Sequence, residues 1–222
     1  MVVRVWRQVA RAAIPARVIV ATDHERILNA VRGAGGEALM TSPDHQSGTD
    51  RIAEVARAAV AEIYLNVQGD LPFIAPDDVD ALARPMLDDR SIAMATLATP
   101  IGDLAEFRNP NVVKVVPDRA GNALYFSRAP IPHPRDNPDA PPAAALRHIG
   151  VYAYRRDFLL EFARLQPGVM ERIEKLEQLR ALENGYTIRI VPSVAPSLEI
   201  DTAEELARAR ELVGRGQAGE GH

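Results

Sequence analysis

The chain has 222 residues, of which 47% are hydrophobic and 25% charged, and it carries a net charge of -4. That balance suits one large globular domain with a substantial core, and gives no reason to expect nucleic acid or an anionic membrane as partner. The absence of cysteine excludes disulfides, thiolate metal sites and cysteine nucleophiles and fits a reducing cytoplasm, and no stretch reaches the ~18 uninterrupted apolar residues of a membrane span.

Val2, Val5, Trp6 and Val9 recur at helical spacing, while Arg4, Arg7 and Arg11 rule out the apolar core of a signal peptide. A short β-branched run over 17–22 reads as a strand. The helix after it carries Ile27, Leu28 and Val31 on one face, with Thr22 or Asp23 as its cap. Gly33, Gly35 and Gly36 come after a helix and before the strand 37–40, the reverse of a dinucleotide fingerprint, so they read as a cap and turn. The polar loop 41–51 leads into a helix over 51–61. Ser47 and Asp50 have capping-box spacing, which leaves His45, Gln46 and Arg51 without a structural reason.

The run from Ile63 closes on Asn66-Val-Gln-Gly-Asp70-Leu-Pro72. A glycine permits a tight turn, a carboxylate follows, and a proline stops the strand. This places Asp70 at the carboxyl end of a buried strand, the edge where open α/β sheets bind ligands. A carboxylate there suits Mg²⁺, and a solvated turn accounts for the spacing equally well.

Further on, 76–84 reads as a helix, 91–101 and 111–116 as strands, and 118–122 as a turn that pairs 123–126 back as a hairpin. Six prolines between 129 and 145 predict an extended surface segment. The strand 146–154 alternates, with Arg147, Ile149, Val151 and Ala153 on one face and His148, Tyr152 and Tyr154 on the other. Helices over 156–165 and 169–184 follow. On the second, Glu174, Glu177 and Gln178 form one polar stripe, by default a solvated one. A strand over 187–191 precedes Asp201-Thr202, which can cap a terminal helix over 203–213, and the Gly-rich tail 214–222 is expected to fray. The pattern predicts a single α/β domain over 1–213, with flanking helices, a mostly parallel Rossmann-like sheet and a smaller β-rich lobe over 91–155.

Several motifs together carry a resemblance. They are Ala21-Thr-Asp-His-Glu25, Asp44-His-Gln-Ser-Gly-Thr-Asp-Arg51, Asn66-Val-Gln-Gly-Asp70 and Asn109-Pro-Asn-Val-Val-Lys114. Ala123-Leu-Tyr-Phe-Ser-Arg128, Arg147-His-Ile-Gly-Val-Tyr152, Leu176-Glu-Gln-Leu-Arg180 and Ile200-Asp-Thr202 complete the set. In this order they resemble the CMP-Kdo synthetases, the 3-deoxy-manno-octulosonate cytidylyltransferases of lipopolysaccharide assembly, a family of the nucleotide-diphospho-sugar transferase-like fold. The resemblance implies transfer of CMP from CTP to the anomeric hydroxyl of Kdo, with Mg²⁺, in a cytoplasmic homodimer. It assigns Asp70 and Asp201 to the metal and Gln46, Ser47, Gly48 and Arg51 to the nucleotide. Gln68, Arg128, His148, Tyr152, Glu177 and Gln178 fall around the sugar, so for Glu177 and Gln178 it overrides the solvated stripe. Glu174 keeps its solvated reading. The dimer contact is expected at strand 146–154 with the Pro-rich arm.

The chain departs from the family at its start. Family members open with a strand and a Pro-Ala-Arg…Leu-Pro-Gly-Lys loop around the triphosphate, whereas Met1–Trp6 matches the helix after that loop. Ile14-Pro-Ala-Arg17 precedes a strand and lacks the Ser, Gly and Lys that should follow. The expectation is therefore an internal Met1 with the true start upstream. Three other readings remain open: a cytidylyltransferase for 8-amino-Kdo or a sialic-type acid, a non-catalytic remnant, and a metal-dependent glycosyltransferase. His24, His45, His133 and His222 show no metal-ligand spacing.

Overall fold

The computed structural model describes residues 1–195 and, beyond them, Ala207 alone. Asp201, the tail 214–222 and the rest of the predicted terminal helix lie outside the described residues.

The first helix, α1 (Val2–Val9), buries Val5 and Val9, as its spacing predicts. Strand β1 (Ile19–Thr22), helix α2 (Glu25–Gly33) and strand β2 (Glu37–Met40) follow in the expected order. The cap of α2 is His24 rather than Thr22 or Asp23: its Nδ1 accepts from the Arg26 amide at 3.2 Å. Asp23 is engaged elsewhere, by Arg51. Helix α3 (Gly48–Ala58) begins three residues before the predicted start, because Ser47 is its cap and accepts from the Asp50 amide at 3.1 Å.

Strand β3 (Ile63–Asn66) and helix α4 (Pro76–Asp88) lead to β4 (Met94–Pro100). Helix α5 (Leu104–Arg108) has no counterpart in the sequence reading. Asp103 caps it by accepting from the Glu106 amide at 2.8 Å, and Phe107 anchors it in the interior. The hairpin β5 (Lys114–Pro117) and β6 (Ala123–Ser127) and the long strand β7 (Leu146–Arg155) match the expected pattern. Helices α6 (Arg156–Phe162), α7 (Val169–Glu174) and α8 (Leu179–Glu183) precede β8 (Ile188–Pro192). The single helix expected over 169–184 is broken at Lys175, whose φ of 55° is left-handed. No residue with a Cβ continues a right-handed helix from there.

β7 organises the sheet. β4 pairs along one edge, while β5 and β3 lie end to end along the other. β6 extends the sheet beyond β5, and β8 lies parallel to β4. β4 and β7 thus join the 91–155 stretch to β3 and β8 in one sheet. The parallel ladders are β1–β2, joined through α2, and β4–β8. Those around β7 are antiparallel, because hairpin and meander connections deliver the strands there without a crossover helix. Both edges of β7 are taken by strands of this chain.

Apolar clusters cover both faces of the sheet. On one, Val5, Val9, Val79, Leu82 and Met86 from α1 and α4 meet Ile149, Val151 and Ala153. On the other, Ala53, Ala56, Phe158, Phe162 and Leu179 from α3, α6 and α8 meet Tyr154 and Phe126. The β1–β2 pair forms a separate small sheet. Among the described residues neither β1 nor β3 has a strand on its second edge. α3 packs on both strands, and α1 packs on both α2 and α4.

Candidate active site

The site begins at the carboxyl end of β3. Asn66 is buried, and its Oδ1 accepts from Gln68 Nε2 at 3.2 Å. Gln68 in turn lies against the start of α3: a Cβ on Gly48 would stand 3.3 Å from the amide atoms of Gln68. Glycine there lets the two segments approach without displacing the amide. Asp70 sits half-buried in the turn that follows, beyond the end of the strand, as predicted.

Across α3, Thr49 donates to Glu177 Oε2 at 2.7 Å, and the Ser47 hydroxyl also bonds this carboxylate. The Arg180 guanidinium lies 3.7 Å from Glu177 Oε1, while Glu171 and the Phe162 ring hold that guanidinium in place. Burial raises the Glu177 pKa, and the Thr49, Ser47 and Arg180 contacts oppose the shift. Three buried atoms here have no hydrogen-bond partner: Glu177 Oε1, Gln178 Nε2 and Asn66 Nδ2. Such orphaned groups cost roughly 1–3 kcal/mol each and are rare in native interiors unless a ligand is to satisfy them.

β7 supplies the floor. His148 Nε2 lies 2.9 Å from Thr96 Oγ1, and that hydroxyl reaches the Val151 carbonyl at 2.8 Å. With the hydroxyl proton directed at a carbonyl, Nε2 donates to Oγ1 and Nδ1 is left as an acceptor. Burial lowers the His148 pKa to about 3, so the ring is neutral in the physiological range. Tyr152 follows on the same face, its ring centroid 5.5 Å from His148, and Phe126 meets His148 edge-on at 5.0 Å.

Two residues beyond Phe126 stands Arg128. Its Nε donates to the Glu174 carbonyl at 2.8 Å and its Nη1 to the Pro110 carbonyl at 3.1 Å. Nη2 makes no hydrogen bond among the described residues. Glu174 is not the solvated residue the stripe implied. Its carboxylate accepts from Ser127 Oγ at 2.6 Å and from the Arg128 amide at 2.9 Å. The break at Lys175 turns Glu174 towards β6 and Glu177 towards α3, so the two no longer share a helix face.

The structure therefore gathers Ser47, Gly48, Gln68, Glu177 and Gln178 with His148, Tyr152 and Arg128 around one face of the sheet. Arg51 stands apart towards β1–β2, bonded to Thr41 Oγ1 at 2.5 Å and to Asp23 at 3.1 Å. Gln46 is exposed and donates to the Asp44 carbonyl at 3.1 Å. Asp201 lies outside the described residues. The sequence reading missed Asn66, Thr49 and Thr96. Asn66 and Thr49 sit inside quoted motifs, whereas Thr96 carries no local signal. The Ile14–Arg17 turn is held on α4 instead, where Asp80 accepts from the Ala13 and Ile14 amides at 2.9 and 2.7 Å.

A family profile described as cytidylyltransferase matches residues 1–190. The chain belongs to the cytidylyltransferase family. A 3-deoxy-manno-octulosonate cytidylyltransferase from Syntrophotalea carbinolica is 53% identical over 214 residues, covering 94% of this chain and 86% of the relative. One of the same name from Geobacter metallireducens is 48% identical over 225 residues, covering 98% and 89%. Among solved structures, a CMP:2-keto-3-deoxy-manno-octonic acid synthetase complexed with CTP superposes with a TM-score of 0.91. It is 42% identical and covers 97% of this chain and 88% of its own. This cytidylyltransferase thus shares both sequence and mixed α/β fold with enzymes that make a CMP-activated sugar acid.

Proposed function

We propose that the chain transfers CMP from CTP to the anomeric hydroxyl of 3-deoxy-manno-octulosonate, releasing pyrophosphate. The observation that supports this most is the set of buried atoms without a hydrogen bond on Asn66, Glu177 and Gln178, close to the polar face of β7. A polyhydroxylated acid satisfies such a set. Its hydroxyls donate to Glu177 Oε1 and His148 Nδ1 and accept from the Gln178 and Asn66 amides, with the Tyr152 phenol beside them. With His148 neutral, the cation for the sugar carboxylate is Arg128, through Nη2.

In the reaction the anomeric oxygen attacks the α-phosphorus in line, the bond to pyrophosphate breaks, and the hydroxyl proton leaves. The residues contribute mainly by holding both reactants in that geometry. The segment Gln46–Arg51 lies on the nucleotide side, joined to the sugar side by Gly48 against Gln68 and Thr49 against Glu177. Among the described residues no three His, Cys, Asp or Glu groups converge on one point. The half-buried Asp70 fits Mg²⁺, which takes one or two carboxylates and completes its shell with phosphate oxygens and water, and Asp201 is the proposed second ligand. When bound, the ion neutralises phosphate charge and lowers the pKa of the attacking hydroxyl. A homodimer is part of the same proposal, with the Pro-rich 129–145 segment and strand 146–154 as its contact.

The test is pyrophosphate release by the 222-residue chain, with CTP against other nucleoside triphosphates and Kdo against 8-amino-Kdo and a sialic acid. Turnover with Kdo and CTP, abolished in Asp70→Asn, is the expected result. Preference for another acid would move the substrate assignment, and Mg²⁺-independent turnover would remove the metal.

A further inference from the structure

Lys114 is a cation that the reaction does not use directly. It is fully buried at the start of β5, and burial lowers its pKa. All three of its donor positions are taken by backbone carbonyls: Asn109 at 2.8 Å, Val112 at 2.5 Å and Arg128 at 2.6 Å. A buried ammonium needs such partners, since its desolvation costs several kcal/mol. An apolar side chain would fill the same volume at lower cost, so the charge calls for a purpose beyond packing.

The geometry supplies one. The Lys114 carbonyl cage includes Arg128 itself and brackets Pro110, whose carbonyl receives Arg128 Nη1. From the other side, Glu174 takes the Arg128 amide on its carboxylate and Arg128 Nε on its carbonyl. Arg128 is thus fixed at its amide, its carbonyl, Nε and Nη1. Among the described residues Nη2 is the one guanidinium nitrogen left to a ligand. Lys114 and Glu174 lie 60 residues apart in the chain and do not touch substrate in the reading given above.

We propose that Lys114 and Glu174 are positioning residues that hold Arg128 for the carboxylate of the acidic sugar, so that sugar affinity, and not nucleotide affinity, depends on them. This rests on the proposed function, in which Arg128 meets that carboxylate.

The experiment measures binding of Kdo and of CTP separately by calorimetry on the full chain, with kinetics alongside. The proteins are wild type, Arg128→Met, Glu174→Gln, Lys114→Met, Lys114→Arg and the double variant Arg128→Met with Glu174→Gln. Glu174→Gln is expected to weaken Kdo about tenfold or more, leaving CTP within about twofold, since the carboxylate that accepts from the Arg128 amide and Ser127 Oγ becomes a neutral amide with a single acceptor oxygen, while the Nε bond to the backbone carbonyl stays. In the double variant Glu174→Gln adds nothing further, because its effect passes through Arg128. Lys114→Met weakens Kdo in the same selective way, and Lys114→Arg restores part of it.

If wild type binds no Kdo, or Arg128→Met leaves Kdo binding intact, the functional reading fails. Should Arg128→Met weaken Kdo while Glu174→Gln does not, or should the two effects add, the positioning role fails and the functional reading stands. If Lys114→Met does not fold, the Glu174 arm decides. Equal loss of Kdo and CTP in Glu174→Gln would reduce both residues to scaffolding and overturn the inference.

Discussion

The two faces of β7 are built from one run of ten residues and serve opposite ends. One face presents Ile149, Val151 and Ala153 to α1 and α4 and carries no polar atom among them. The other presents His148, Tyr152 and Tyr154, and around it stand the buried atoms of Asn66, Glu177 and Gln178 that make no hydrogen bond. The apolar face contributes stability. The polar face gives some up, since each orphaned group is desolvated without return until a ligand arrives. A period of two lets one strand do both, because adjacent side chains never share an environment.

That division can be broken from either side. The largest effect is expected on the apolar face. Ile149→Ala removes a side chain that is 1% exposed and should cost about 2–5 kcal/mol in urea unfolding, with Kdo and CTP binding unchanged in the folded protein. A matching loss of sugar affinity would show that the faces are coupled.

The polar face should be acid-sensitive. His148 titrates near pH 3 when folded against 6.5 in the open chain, so between these values the unfolded state binds the extra proton. Its contribution is therefore complete above pH 6.5 and is lost, by about 1.4 kcal/mol per pH unit, as the pH falls below it. His148→Phe should flatten this part of the stability profile, read as the wild-type minus variant difference between pH 7 and pH 5. Glu177 works in the other direction. Its folded pKa is raised, so ionisation costs stability as the pH climbs above 4.5. Glu177→Gln should accordingly be more stable than wild type at neutral pH while binding Kdo less well. Thermal melts at pH 4 and pH 7.5 would show it, and a destabilised variant at both values would mean that the Thr49 and Arg180 contacts outweigh desolvation.

The smallest change is expected from Gln178→Leu. It replaces a buried amide whose Nε2 makes no hydrogen bond by an apolar group of similar size, so stability should stay within about 1 kcal/mol of wild type or rise. Kdo binding should nevertheless weaken. Loss of stability without loss of binding would place Gln178 in the scaffold.

Much of this was legible before any coordinates. Alternation in 146–154 put Ile149, Val151 and Ala153 on one face and His148, Tyr152 and Tyr154 on the other, as the structure has them, and the glycine and proline around Asp70 marked the end of β3. What escaped was set by contacts distant in sequence. The broken helix at Lys175 has no local breaker such as glycine or proline, and Glu174 finds Ser127 and Arg128 only once the hairpin is in place. Thr96 becomes visible as the tether of His148 only through the β4–β7 register. For α2, His24 supplied the cap because Asp23 was drawn off to Arg51. Ladder direction, too, depends on which strands meet, which periodicity does not encode.

The separation of the β1–β2 pair from the larger sheet has a consequence for how the molecule breathes. No strand ladder joins the two parts among the described residues; α3, α1 and the Arg51 bonds to Thr41 and Asp23 do so instead. The amides of β1 and β3 that point away from their single partner strands should exchange with deuterium ahead of those in β4 and β7. The β1–α2–β2 unit should open as a block at lower free energy than the rest. A nucleotide seated along Ser47–Arg51 would bridge that block to the sheet. Its arrival should then be recorded as slowed exchange in β1 and β2.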